Sequence, residues 1–150
     1  MPVHDRSSIC RYLPHGAGAV LLDVVAHTDH DTIICKSSRH KDVRNPFRVE
    51  RAGQWCLPAS AAIEFAAQAI ALHGALGGRG GSDAQPASAY IARLKGVTWK
   101  PVLLSDVAGE LTISATCTGR LASGAEYTFE ITAEDMGRLA SGTAIVMFAE

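Results

Sequence analysis

Leu57-Pro58-Ala59-Ser60-Ala61-Ala62-Ile63-Glu64-Phe65-Ala66-Ala67-Gln68-Ala69-Ile70-Ala71-Leu72 is the stretch on which the fold turns. Alanine dominates it, Pro58 stands near its start and Gly74 follows its end. Those are the marks of a helix with proline in its first turn and glycine just past its last. Apolar residues lie on nearly every side, so the pattern predicts an enclosed helix rather than a half-exposed one. Its alanines let a sheet approach closely. One polar line breaks the apolar surface: Ser60, Glu64 and Gln68 recur at four-residue spacing and stack along a single edge. A carboxylate in such a helix is costly to bury unless something pairs with it or uses it. Glu64 is therefore either a general acid/base or a residue facing a subunit interface, held there by Gln68 or a partner's arginine.

Working outward, residues 38–54 before the helix are polar and irregular around Asn45-Pro46-Phe47, and a loop of that length in a compact domain is often functional. Upstream, the apolar run Ala17 to Ala26 begins as a short helix and passes into a first strand. His27 to Asp31 is a polar turn, and Thr32 to Ser37 is the returning strand. Residues 1–12 carry little pattern and are expected to pack as an arm or short turn. Downstream, Gly74 to Pro86 reads as a mobile surface connection. Ala89 to Trp99 is a strand candidate. Glu110 to Thr118 alternates with Leu111, Ile113, Ala115 and Cys117 on one face, and Glu126 to Ala133 places Tyr127, Phe129, Ile131 and Ala133 together. Thr143 to Phe148 closes the chain. Short turn-rich connections imply antiparallel meander pairing. The hexapeptide Gly-Arg-Leu-Ala-Ser-Gly at 119–124 and 137–142 is read as two similar turns, not as a structural repeat. Two strands, an enclosed helix and about four further strands make an α+β chain, an antiparallel sheet wrapped around one long central helix.

With 150 residues the chain is expected to be a single domain, 1–150. Its net charge of -1 and unclustered Lys and Arg give no nucleic-acid footprint. No apolar run approaches the roughly 20 residues that cross a bilayer, and Met1-Pro-Val-His-Asp-Arg does not read as an export signal. The scattered Cys10, Cys35, Cys56 and Cys117 read as reduced thiols, so the expected location is cytoplasmic.

Several smaller features read as structural. His27-x-x-His30 with Asp29 and Asp31 is a solvated turn without a completing metal ligand. His15 is a structural residue at a turn start, and His73 sits near C-terminal helix carbonyls. Cys56 lacks a nearby base, Ser60 lacks a nucleophile elbow, and Gly77 to Gly81 lacks the Lys-Ser/Thr of a phosphate loop.

Five pieces then come in a telling order: Leu13-Pro14-His15, Leu21-Leu22-Asp23-Val24-Val25, Asn45-Pro46-Phe47, Leu57-Pro58, and Ile63-Glu64-Phe65-Ala66-Ala67-Gln68-Ala69. With the closing Met147-Phe148-Ala149-Glu150, they resemble the hotdog-fold 3-hydroxyacyl-[acyl carrier protein] dehydratases over nearly the full length. Within that family the chain is similar to the divergent dehydratase-like proteins of aryl-polyene biosynthesis clusters, which share the Asn-Pro-Phe loop and the Ile-Glu-x-x-x-Gln helix. The resemblance implies a hotdog fold and an acyl thioester on acyl carrier protein as substrate. It implies a homodimer, or a heterodimer with a related hotdog subunit, and no metal or dissociable cofactor. It makes Glu64 the acid/base at the departing hydroxyl, Gln68 its support, and the Ala59 N–H the donor to the thioester carbonyl. The family's Gly-His-Phe-Pro motif, with its catalytic histidine, is absent; the equivalent positions hold Glu50 or Arg51. Two replacements are open: His40 swinging in from the same loop, or Glu50 forming a dyad with Glu64. The alternatives are a non-catalytic or half-site partner of a competent dehydratase, and a hotdog acyl-thioesterase using Glu64 to activate water.

Overall fold

The computed structural model describes residues 3–77 and 89–148. At its centre lies helix α2, Ala62–Leu76, entered through a 3-10 turn over Ala59–Ala61 directly after Pro58. Phe65, Ala66, Ala69, Ile70 and Leu72 are buried on it, as the all-round apolar pattern predicts. The helix runs past Gly74, where the sequence placed its end, because Leu76 still packs on the core. An internal glycine costs only about 1 kcal/mol against that burial. Gly77 ends it, its N–H donating to the His73 carbonyl at 3.0 Å.

Among the described residues eight strands form in chain order: β1 Val24–Thr28, β2 Thr32–Ser37, β3 Val49–Arg51, β4 Gln54–Cys56, β5 Ala89–Trp99, β6 Leu111–Leu121, β7 Gly124–Ala133 and β8 Gly137–Phe148. Six make one antiparallel sheet in the order β1-β2-β6-β7-β8-β5. Leu111, Ile113, Ala115 and Cys117 of β6 and Tyr127, Phe129, Ile131 and Ala133 of β7 are buried on the inner face, the two alternating sets the sequence singled out. α2 packs against β2, β5, β6 and β7. Register shifts interrupt several strand pairs, including two between β5 and β8, and such irregularities bend strands and increase their twist. That curvature lets the sheet wrap the helix, which is the hotdog arrangement. Ala59–Leu76 is long and apolar enough to span a bilayer by length and composition, but half of it is buried within this sheet.

Three expectations need correction. Residues 1–12 are not a patternless arm: Arg6–Tyr12 form helix α1, with the Asp5 side chain accepting from the Ser8 N–H at 2.9 Å as N-cap. Ile9 at 0% exposure docks α1 onto the core. Asp5→Ala should lower stability by about 1 kcal/mol, read as a shift in the denaturation midpoint at unchanged slope. Second, the loop 38–54 is not wholly irregular. β3 and β4 pair as a hairpin through Ala52 (φ 51°) and Gly53 (φ 80°), left-handed conformations that match the twist of a tight hairpin. Third, only the first copy of the hexapeptide is a turn. Residues 137–142 lie in β8, with Leu139 and Ala140 buried. The glycine-rich connection expected over Gly74 to Pro86 lies largely outside the described residues.

Candidate active site

Glu64 sits in the first turn of α2, its side chain 32% exposed and so neither sealed in the core nor free in water. Two groups meet its Oε1. Gln68, one turn on, donates from Nε2 at 3.2 Å, and His15 Nε2 lies 3.5 Å away. Gln68 is buried and cannot turn freely. Its Oε1 accepts from the Leu21 N–H at 2.8 Å, and its Nε2 also donates to the Ala19 carbonyl at 2.9 Å. That bonding fixes which end of the amide faces Glu64. The Nδ1 of His15 is buried without a hydrogen-bond partner, and Nε2 is the ring nitrogen that faces Glu64.

The sequence reads His15 as a structural residue at a turn start, and the fold places its Nε2 within 3.5 Å of the Glu64 carboxylate. Its one signal was the Leu-Pro-His match; no local spacing links two residues this far apart in the chain.

A cleft of about 580 Å³ opens at the N-terminal end of the helix. Pro58, Ala59 and Ser60 line one side, Trp99 and Pro101 another, and Arg51 stands on the hairpin rim. The entry to the helix is tied down here: the Leu104 N–H donates to the Leu57 carbonyl at 2.8 Å, and the Leu57 N–H to Ser105 Oγ at 3.0 Å. A helix N-terminus carries partial positive charge from its unpaired N–H groups, which favours a developing oxyanion. Ser60, on this wall, lies in the 3-10 turn that leads into α2, four residues before Glu64. Carboxylate and imidazole thus meet from two parts of the chain, on the helix whose N-terminal end borders the cleft.

His40 and Glu50 do not join them. His40 is buried in a 3-10 turn over Arg39–Lys41, and its Nε2 donates to the Val107 carbonyl at 3.1 Å. Burial holds its pKa below the ordinary value of 6.5, with the Lys41 charge adding to that and the Val107 contact opposing it. Unfolding therefore lets His40 take up a proton between its folded pKa and about 6.5. Its contribution is complete above that range and is lost as pH falls through it. Thermal melts from pH 7.5 to 5 should show a steeper loss for the wild type than for His40→Gln. Glu50 is exposed on β3, opposite Trp55, and among the described residues no ion pair or hydrogen bond connects it to Glu64.

Asp29 caps the β1–β2 turn through the Asp31 and Thr32 N–H groups and pairs with His27, while Asp31 pairs with Arg120. Among the described residues no group of three metal-ligating side chains comes together. His73 reaches away from its own helix end. Its Nε2 donates to the Asp29 carbonyl at 2.8 Å, and its Nδ1 lies 2.6 Å from the Tyr127 hydroxyl. Burial pushes the Cys35 thiol up to about 12, which leaves it inert as a nucleophile.

Comparison with known proteins bears on this geometry. No curated protein matches the chain. The dehydratase heterocomplex ApeI:P from Xenorhabdus doucetiae is similar in structure, with a TM-score of 0.75 and 22% identity, covering 100% of this chain and 92% of that one. Thioesterase HI1161 from Haemophilus influenzae follows at TM-score 0.54 and 12% identity, over 85% of this chain and 78% of that one. A thioesterase variant from Staphylococcus aureus gives 0.56 and 15% over 84% and 92%. At those identities the structures speak for the hotdog fold. The family model described as ApeP dehydratase matches residues 7–148, and the chain accordingly belongs to the ApeP-like family.

Proposed function

We propose that this chain is a dehydratase subunit of fatty-acid or polyene biosynthesis that removes water from 3-hydroxyacyl thioesters borne on acyl carrier protein. The observation that carries the reading is the placement of His15 Nε2 3.5 Å from Glu64 Oε1, on a helix whose N-terminus borders a cleft. Elimination needs a base for the proton at C2, an acid for the hydroxyl at C3, and support for the enolate-like oxygen between them. In this reading His15 Nε2 removes the C2 proton and the electron pair forms the 2,3-double bond. The proton is returned through Glu64 to the departing hydroxyl, which leaves as water. One proton is cycled and no cofactor is consumed. Gln68 holds Glu64 in place, and the helix terminus at Ala59 faces the thioester carbonyl. His40 and Glu50 have no step in it, one being engaged with Val107 and the other on the exposed hairpin.

A second hotdog chain completes the unit, as a homodimer or a heterodimer. Two observations support this. β5 is a sheet edge carrying exposed Tyr90, Leu94 and Trp99, and an uncovered edge of that kind invites pairing. The similar Xenorhabdus doucetiae structure is itself a heterocomplex. The test is incubation of the assembled protein with a 3-hydroxyacyl carrier-protein thioester. Formation of the 2,3-enoyl product without free thiol is expected. Thiol release at the rate of substrate loss would instead assign the site to thioester hydrolysis.

A further inference from the structure

The four residues after His15 are Gly16, Ala17, Gly18 and Ala19. None of them has a side chain able to anchor the loop, and the space around Gly16 and Gly18 is open. The segment then enters the core as Val20, Leu21 and Leu22, all buried and belonging to no helix or strand. Backbone polar groups in such a segment need partners, and side chains from elsewhere supply them. Arg6 of α1 supplies the most: Nη2 donates to the Ala17 carbonyl at 2.8 Å, while Nη1 donates to those of Val20 at 2.8 Å and Leu22 at 3.1 Å. Gln68 takes Ala19 O and Leu21 N from the other side, and Ser37 Oγ donates to the Leu21 carbonyl.

We infer that Arg6 is a positioning residue for the elimination: its guanidinium clamps the loop that carries His15, and so sets the distance between His15 and Glu64. This rests on the reading of that pair as the proton-transfer site. The path is short and physical. Arg6 and Gln68 grip alternating backbone groups of one segment. His15 is attached to its start, and Glu64 is bonded to the same Gln68 that holds its middle. A shift of the segment moves the imidazole and perturbs the support of the carboxylate together. A lysine does not replace the clamp, because the planar fork of arginine meets three carbonyls at once and an ammonium is a single point charge.

The experiment is steady-state kinetics of the full chain in its assembled form, with a 3-hydroxyacyl carrier-protein thioester, for Arg6→Lys, Arg6→Met, Asp5→Ala and Glu64→Gln. Displacing a catalytic group by about 1 Å can cost on the order of 100-fold, so kcat should fall about 10- to 100-fold in both Arg6 variants, with KM changed less than about threefold. Millimolar guanidinium should restore part of the rate to Arg6→Met, and methylammonium should not. Asp5→Ala loosens α1 while keeping the clamp, and it should lower the melting temperature with kcat within about twofold. If Arg6→Met does not fold, Arg6→Lys carries the test, since it keeps the charge and most of the stem. Wild-type kcat in Arg6→Lys overturns the clamp, and if Glu64→Gln is inactive in the same assay the reading of the pair still stands. Equal losses of kcat in Asp5→Ala and Arg6→Lys overturn it too, by making α1 merely structural. Full activity of Glu64→Gln removes the pair and the clamp with it.

Discussion

Glu64→Gln is expected to lower the dehydration rate of the assembled protein roughly 10²–10⁴-fold, about 2.7–5.5 kcal/mol of transition-state stabilisation. The amide is nearly the same size and still accepts from Gln68 Nε2, so packing at the helix edge survives. What it loses is the ability to exchange a proton with His15 and the departing hydroxyl. Because the Glu64 side chain is about one-third exposed and the substitution is nearly isosteric, the melting temperature should move by no more than about 2 °C. KM should change little, since the lost interaction acts in the proton transfer rather than in binding. Activity retained within about threefold would assign Glu64 to an interface and the chain to a supporting subunit.

Phe65→Ala, one residue along, should do the reverse: a large loss of stability from a side chain that takes no part in chemistry. Phe65 is fully buried on α2 and is among the largest side chains in the core. Removing it leaves a cavity between helix and sheet that neighbours fill only in part, at a cost of about 3–5 kcal/mol. That is a large share of the roughly 5–15 kcal/mol by which domains are stable. Chemical denaturation should show a lower midpoint at unchanged slope. On the proposed mechanism, Glu64 and Phe65 separate the two duties of one helix, its open edge for the reaction and its enclosed face for the fold. A small effect of Phe65→Ala would mean that the sheet does not close around α2.

Periodicity is what made the fold legible. The alanine-rich helix and the alternating runs in β6 and β7 bury the residues their patterns select. Parts with weak periodicity were lost. α1 has only seven residues, and its signal was an Asp5–Ser8 cap rather than a hydrophobic stripe. The β3–β4 hairpin is exposed except at Cys56, so no burial pattern marks it and only Ala52-Gly53 announces the turn. The first half of β8 was hidden by glycines at both ends of 137–142.

The site divides in the same way. Glu64 and Gln68 stand one helical turn apart, a relation that sequence carries directly. His15 reaches them only through the tertiary fold. The segment between His15 and β1 is held by Arg6, Gln68 and Ser37 from three separate elements, and nothing local encodes that. His40 is nearer to Glu64 along the chain than His15 is, which makes it the more obvious replacement histidine in the sequence. In the fold, that imidazole is committed to Val107.

A double-mutant cycle on His15→Gln and Glu64→Gln, read as the dehydration rate of the assembled protein, bears most directly on the pair. Groups that hand one proton between them fail together, so the double variant should be no slower than the worse single variant within about threefold. Losses that multiply would show that imidazole and carboxylate act independently, and the shared site described for them would be wrong.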